Sequence, residues 1–237
     1  YWIFRNIIFG PFLRVYNRPE IVGVDNIPST GPAIIASNHQ SVMDSFFLPL
    51  LCPRQITFLA KAEYFNGTTL VGRLQKWFFT NVGQRPVNRT SASAGQDALN
   101  TAVEVLNDGD LFGIYPEGTR SPDGRLYKGK TGVARIALAS GAQVIPVAMI
   151  GTRDVNPIGT WFPRPGKVRV KVGDPIYPIE FVNNRGLERD SYEAIRALTD
   201  HIMRQLQQLS GQEYADVYAA EVKKALAEGG DSSPHNP

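Results

Sequence analysis

Apolar residues come in short bursts separated by turn-forming clusters, and the character of the bursts alternates along the chain. Ile21–Val24, Ala33–Ala36, Ile56–Ala60, Leu111–Tyr115, Val144–Met149 and Val168–Val172 are four to six residues long and rich in β-branched side chains, which predicts strands. Helices are predicted at Ser45–Leu51, Thr69–Phe79, Ala92–Asn107, Gly132–Ser140 and Ser191–Gln208. The third of these has Ser91 or Ser93 as its cap and ends at Asn107-Asp108-Gly109. Strands alternating with helices predict an α/β fold, a mixed central sheet flanked by helices. No internal repeat is visible.

The two ends differ from this middle. Residues 1–16 are dense in Trp2, Ile3, Phe4, Ile7, Ile8, Phe9, Phe12, Leu13 and Val15, punctuated by Arg5 and Arg14, with Arg18 just beyond. Pro11 interrupts any regular helix there. Such a segment predicts an N-terminal amphipathic, membrane-contacting helical region over residues 1–18, although the same side chains also suit a helix packed on the domain's own core. The main domain is expected over 19–228. The Gly-, Ser- and Pro-rich tail, 229–237, is expected to be disordered. No apolar run reaches the roughly 20 residues of a membrane-spanning helix.

Composition narrows the partners. The chain has 237 residues, 43% of them apolar, and a net charge of +3. That mild excess of positive charge suits anionic substrates or an anionic membrane surface. With no zinc-finger or RNA-binding signature, no nucleic-acid partner is expected. A single cysteine, Cys52, excludes an intrachain disulfide and a cysteine-rich metal site.

Candidate chemistry begins at Asn38-His39-Gln40-Ser41-Val42-Met43-Asp44, directly after the apolar run Ala33–Ala36. Five positions along a regular helix is about 500° of rotation, so His39 and Asp44 meet only if the chain turns between them. A strand ending near Ser37 and a helix starting near Asp44 provide that turn. Asp44 can then hold one imidazole nitrogen and leave the other free as a base. Taken alone, the pair is equally a locally bonded histidine with Asp44 as a helix cap. His201 and His235 lie far away in sequence, in a helix and a loose tail, so no metal site is expected. No Gly-x-Ser-x-Gly elbow occurs, and Cys52 sits in an apolar Leu-Leu-Cys-Pro run. A base without a nucleophile of its own points to a substrate hydroxyl as nucleophile.

A second constellation, Tyr115-Pro116-Glu117-Gly118-Thr119-Arg120-Ser121, follows the strand Leu111–Ile114. Its turn exposes backbone N–H groups beside a hydroxyl and a guanidinium, which suits a phosphate or carboxylate. Lys128-Gly129-Lys130 can add charge to the same rim. Gly83–Arg89, with Arg85 and Arg89, is too broken for a helix interior and reads as a loop. Lys61 stands at a predicted strand end, where clefts of α/β domains open.

In this order, Asn38-His39-x4-Asp44, Gly83–Arg89, Pro116–Arg120 and Val144-Ile145-Pro146-Val147 resemble the four sequence blocks of the glycerophospholipid acyltransferases. The nearest likeness is the bacterial 1-acyl-sn-glycerol-3-phosphate acyltransferase group, over roughly residues 19–175. The resemblance implies His39 as general base and Asp44 as its orienting partner. It implies Arg89 as a contact for the acceptor's phosphate, and Glu117, Gly118, Thr119 and Arg120 as residues of acceptor binding and site architecture, with Lys61 and Lys128 as further basic contacts. Pro146 matches a proline of the fourth block associated with the acyl donor or with shaping the site. The implied enzyme is a 1-acylglycerol-3-phosphate O-acyltransferase of phospholipid biosynthesis, with lysophosphatidic acid as acceptor. No cofactor is bound; the donor is acyl-CoA or acyl-carrier protein (acyl-ACP). Its partners are a membrane lipid acceptor and the membrane surface, with a peripheral location at the cytoplasmic face of the plasma membrane. Two departures stand out. Asn88 replaces the usual acid of the second block, which leaves other lysolipid, glycolipid or monoacylglycerol acceptors open, and a non-catalytic protein that binds anionic lipid is the further alternative. Tyr115 replaces the usual phenylalanine, which is expected to change little.

Overall fold

A computed structural model describes residues 9–61, 73, 83–87, 93–160 and 162–228 of the protein. Seven strands, β1 (Glu20–Val22), β2 (Ala33–Ser37), β3 (Ile56–Lys61), β4 (Gln84–Val87), β5 (Leu111–Ile114), β7 (Gln143–Ile150) and β8 (Arg169–Val172), form one sheet. Its spatial order is β1-β8-β7-β2-β5-β3-β4. All neighbours run parallel except β7 and β8, so the sheet is mixed, as the sequence pattern predicts. Two further strands, β6 (Leu126–Tyr127) and β9 (Tyr214–Ala215), pair in parallel beside it.

Strand β2 lies between β7 and β5 with all five residues buried, and its alternate side chains enter separate cores. Ile34 and Ala36 pack with α3 (Ala94–Asn107), α4 (Gly132–Ser140), α6 (Pro178–Asn183) and α7 (Tyr192–Ser210). Ala33 and Ile35 pack on the other face with α2 (Asp44–Leu51) and with Leu13 of α1 (Phe9–Tyr16). Burial on both faces explains why β2 reads as an unbroken apolar run and not an alternating one. Two short helices, α5 (Thr152–Val155) and α8 (Ala219–Ala227), complete the described elements.

Several boundaries differ from the sequence reading. The segment expected to be a loop, Gly83–Arg89, contains β4. This strand lies at the edge of the sheet, where Pro86 sacrifices no N–H to an outer neighbour. Strands β6 and β9, of two residues each, are too short to show any period, and α6 and α8 also went unpredicted. Helix α7 begins after Ser191, whose hydroxyl accepts from the Ala194 N–H, and ends at Gly211 in the left-handed region (φ 72°).

Helix α1 packs one edge on the domain's own core and leaves the other in solvent. Leu13 and Asn17 are buried, and the Asn17 amide donates to the carbonyls of Arg164 and Gly166. Phe12, Val15 and Tyr16 are exposed on the other edge. Residues 1–8, the helix expected at Thr69–Phe79 apart from Arg73, the aromatic run from Tyr64 to Phe78, Asn88, Arg89, Trp161 and the tail 229–237 lie outside the described residues.

Candidate active site

Strand β2 delivers the chain to the carboxyl edge of the sheet, where α/β folds gather their chemistry. The first residue past it, Asn38, is fully buried and grips the backbone of Met149 in β7 from both sides. Its Nδ2 donates to the Met149 carbonyl (3.0 Å) and its Oδ1 accepts from the Met149 N–H (2.7 Å). His39 comes next, and both polar groups of its backbone are bonded to a single loop. Its N–H donates to Glu117 Oε1 (2.9 Å), and its carbonyl accepts from the Ser121 N–H (2.8 Å). The two sequence constellations are therefore one unit: the Tyr115–Ser121 loop is the clamp that holds the His39 peptide.

The chain then turns, and Asp44 opens α2. Asp44 is fully buried, and its Oδ2 accepts from the Gln40 N–H (2.6 Å) and the Ser41 N–H (2.9 Å) while meeting His39 Nδ1 at 2.9 Å. A buried carboxylate is costly unless donors surround it. Here two backbone donors, the imidazole and the positive end of α2 supply the field. With a carboxylate as acceptor, the ring proton is assigned to Nδ1, which leaves the lone pair on Nε2. His39 is 16% exposed, so the pair is sheltered but open to a substrate. An imidazole held this way can take a proton from a hydroxyl.

Tyr115, expected to matter little, is part of this arrangement. Its ring stacks on His39 with centroids 3.9 Å apart and planes 11° from parallel, and on its other side stacks with Phe58 at 5.5 Å. Burial, with a smaller push from Asp44, holds the phenol far above its ordinary pKa, so it stays neutral and shares a hydrogen bond with Ser45 (3.2 Å). Gly113 makes the stack possible. A Cβ there would lie 2.4 Å from the Phe58 ring, so only a glycine lets that ring lie across β5.

Glu117 does not face the substrate side. It is 1% exposed; Oε1 holds the His39 N–H and Oε2 the Tyr127 N–H (3.0 Å). Burial pushes its carboxyl up from 4.5 to about 7, against the pull of those two N–H groups. Of the roles that the resemblance implies for it, the geometry fits architecture, not ligand contact. Gly118 turns the loop with φ 74°, its N–H bonded to the Tyr115 carbonyl. Thr119 and Arg120 are partly exposed beyond it. Arg153, just after β7, supports the far end by donating to the carbonyls of Ser121 and Pro122.

The basic candidates separate. Lys128 turns away and pairs with Asp216 at 3.0 Å. Lys130 is the lysine beside the loop, 3.1–3.3 Å from the point a Cβ on Gly118 would occupy. Lys61 closes β3, and its side chain lies outside the described residues, as does Arg89; Arg85 pairs with Asp108 on the surface. Pro146, within β7, accepts the Gly173 N–H at its carbonyl. Cys52 is buried at the end of α2. Among the described residues no three His, Cys, Asp or Glu side chains gather as metal ligands.

Two functional neighbours carried no signal in the sequence. Gln212, after α7, accepts from Asn38 Nδ2 (2.6 Å) and donates to the Gly124 carbonyl (2.7 Å), tying the C-terminal segment to the His39 turn. Lys223 in α8 donates to Thr119 Oγ1 at 2.6 Å. The pairing of β6 with β9, too short to read from sequence, helps to bring this segment to the site.

A family model described as Acyltransferase matches residues 18–150. A chloroplastic 1-acyl-sn-glycerol-3-phosphate acyltransferase of Arabidopsis thaliana is 32% identical over 74% of this chain and 47% of its own length. One from Limnanthes alba is 34% identical over 73% of this chain and 60% of its own. The chain thus spans about half to three-fifths of these plant relatives. The Bacillus subtilis 1-acyl-sn-glycerol-3-phosphate acyltransferase is 27% identical over 83% of this chain and 87% of its own. Among solved structures, the 1-acyl-sn-glycerophosphate acyltransferase PlsC from Thermotoga maritima superposes with a TM-score of 0.63 at 29% identity. That match covers 86% of this chain and 80% of the other. A matched region running from just before β1 through the end of β7, with His39, Asp44 and the Glu117–Arg120 loop inside it, places this chain in the acyltransferase family.

Proposed function

We propose that the protein transfers a fatty acyl group from acyl-CoA or acyl-ACP to the free hydroxyl of 1-acyl-sn-glycerol 3-phosphate. The observation that carries this reading is the His39–Asp44 pair: Asp44 holds Nδ1, among the described residues no partner meets Nε2, and the hydroxyls of the nearby Ser41, Ser45 and Ser121 are bonded to Asn156, Tyr115 and Asp123 and not to the imidazole. His39 Nε2 takes the proton of the acceptor hydroxyl as that oxygen attacks the thioester carbonyl. The tetrahedral intermediate then expels the thiol, which leaves with the proton returned by the imidazolium. The new oxygen ester replaces the thioester, and neither metal nor bound cofactor enters the sequence. The names of the relatives support the acceptor, and the half-exposed Thr119 and Arg120 suit its phosphate.

The test is an assay of the purified protein with acyl-CoA and acyl-ACP against 1-acylglycerol 3-phosphate, a lysophospholipid with a substituted phosphate, and 1-monoacylglycerol. We expect the phosphate monoester acceptor to be preferred by about 10-fold or more in kcat/KM. Equal rates on 1-monoacylglycerol would remove the phosphate from the reading and favour a different acceptor.

An acceptor of this kind resides in a bilayer, so the enzyme works at a membrane surface, in our reading the cytoplasmic face of the plasma membrane. Among the described residues no helix is long and apolar enough to cross it. Exposed Phe12, Val15, Tyr16 and Phe162 form an aromatic rim with exposed Arg14, Arg18 and Arg164, and the Tyr16 hydroxyl reaches the Pro163 carbonyl (3.5 Å). Apolar side chains backed by arginines suit an anionic interface. Changing Phe12 and Phe162 to Glu together should lower co-sedimentation with phosphatidylglycerol vesicles about 10-fold or more. Unchanged binding would move the contact elsewhere.

A further inference from the structure

The Gly118–Thr119–Arg120 turn is framed by more positive charge than the sequence block itself contains. Lys223 reaches it from α8, with its ammonium donating to Thr119 Oγ1 at 2.6 Å. Arg120 adjoins it closely enough to help hold the Lys223 ammonium below its ordinary pKa, after burial, while Glu117 opposes this. Lys130 lies along Gly118.

Among the described residues none of these three cations makes an ion pair, whereas nearby Arg125, Lys128 and Arg196 pair with Asp123, Asp216 and Asp200. Glu117, the carboxylate that opposes the lowering at Lys223, has both oxygens taken by backbone N–H groups and is lifted toward neutrality by burial, and Glu221, which lines a recess with Lys130, makes no ion pair with it among the described residues. Like charges gathered without a counter-ion repel, and each carries unused donors. The hydroxyl of Thr119 takes one of the three donors of the Lys223 ammonium, and among the described residues no second acceptor meets the others.

Chain placement strengthens the case. Nothing about α8 demands that a lysine reach back to this loop. The helix is anchored instead by Ala219, buried with Tyr127 and Ala215 where β6 pairs with β9. Lys223 projects from that anchor toward a turn whose two ends, Glu117 and Ser121, are bonded to the His39 peptide. An anion seated there lies next to the base. Lys223 also lies beyond the residues that the family model matches, 18–150, so it is a contribution of the C-terminal segment.

We propose that Lys223 is a substrate-binding residue that, with Thr119, Arg120 and Lys130, holds a phosphate monoester of one of the two substrates. The inference rests on the acyl-transfer reading above and deepens it. The acceptor's phosphate and the 3′-phosphate of a coenzyme A donor share this chemistry, and the experiment separates them.

The test compares wild type with Lys223→Met and Lys223→Arg. Steady-state rates are measured while 1-acylglycerol 3-phosphate and acyl-CoA are varied in turn. Losing one charge-assisted contact raises the KM of the phosphate-bearing substrate about 10- to 100-fold, with kcat changed much less, and Arg recovers most of the loss. A rise confined to the acceptor assigns the acceptor's phosphate, and one confined to acyl-CoA assigns the donor's. Both KM values within twofold of wild type in folded Lys223→Met overturn the proposal. If Lys223→Met melts early, Lys223→Gln decides, since an uncharged amide can still donate to Thr119 Oγ1: normal melting with a raised KM for one phosphate-bearing substrate sustains the proposal, and normal melting with both KM values within twofold of wild type makes the lysine a tether only and overturns it. If the wild type transfers no acyl group at all, the acyl-transfer reading fails separately. The site is then judged by binding of 1-acylglycerol 3-phosphate and of coenzyme A, where loss of at least 10-fold for one of them in Lys223→Met sustains it and equal binding of both rejects it.

Discussion

Replacing His39 with Ala lowers kcat for acyl transfer by about 10²–10⁴-fold, the range that general-base assistance supplies. The melting transition should stay near that of the wild type. The His39 backbone bonds to Glu117 and Ser121 do not depend on the imidazole. Asp44→Asn should fall in the same range for another reason. An amide at that position can still accept from some of the donors at Gln40, Ser41 and His39 Nδ1, but without charge it neither fixes the imidazole tautomer firmly nor stabilises the imidazolium. Measuring kcat and KM for the acceptor in both variants checks this, together with lipid binding. Retained lipid binding with transfer abolished is the expected pair of results. Transfer that continues at the wild-type rate in His39→Ala would falsify the role given to this residue.

Glu117→Ala carries the largest expected effect on stability, and it separates architecture from ligand binding. The substitution strands two buried N–H donors, those of His39 and Tyr127. Each costs about 1–3 kcal/mol, a large share of the roughly 5–15 kcal/mol that holds a domain folded. The folded remainder should show kcat lowered about 10-fold or more with the acceptor KM near wild type, because Glu117 is buried beneath the His39 peptide. A raised KM with unchanged stability would return Glu117 to the ligand contacts. The pH dependence gives a second measure. Burial raises this carboxyl from 4.5 to about 7, so the folded state holds the proton more tightly than the unfolded state does. Its contribution to stability is therefore greatest below pH 4.5 and declines as pH rises to about 7. Relative to Glu117→Gln, which cannot ionise, the wild type should lose about 3 kcal/mol between pH 4 and 8. Denaturant titrations of both proteins across that range would show it, and a constant difference would mean that the carboxyl titrates normally.

The parts of this protein that the sequence discloses are those whose cause is local. Central strands such as β2 and β7 are buried on both faces, and that leaves an unbroken apolar run. The turn between His39 and Asp44 follows from helical geometry, because the two side chains cannot meet along a regular helix. What stayed hidden depends on partners far along the chain. Edge strand β4 reads as a loop because Arg85 and Pro86 break its pattern, and its place at the rim of the sheet is a tertiary fact. Glu117 belongs to a block that the resemblance assigns to acceptor binding and to site architecture alike. Only the fold shows it turned inward under His39. Tyr115 looked interchangeable with phenylalanine until its hydroxyl was found on Ser45 and its ring on the imidazole. Lys223 and Gln212 had no signal at all, since two strands of two residues each bring them in.

Asn38, Glu117 and Ser121 fasten the backbone around His39, Asp44 fastens one edge of its ring, and Tyr115 covers one face. The imidazole has no alternative pose into which it could follow a misplaced substrate. With His39 as the proposed base and the Thr119–Arg120 turn as the proposed anion site, selection among hydroxyl groups becomes a matter of length: the two form the marks of a ruler, and an alcohol at the right span from its own anionic end is the one expected under Nε2. Water and alcohols without that anchor meet the same nitrogen without being held there. Shifting the turn by a single inserted residue, with every catalytic side chain untouched, should therefore alter which alcohol is acylated before it alters whether acylation occurs.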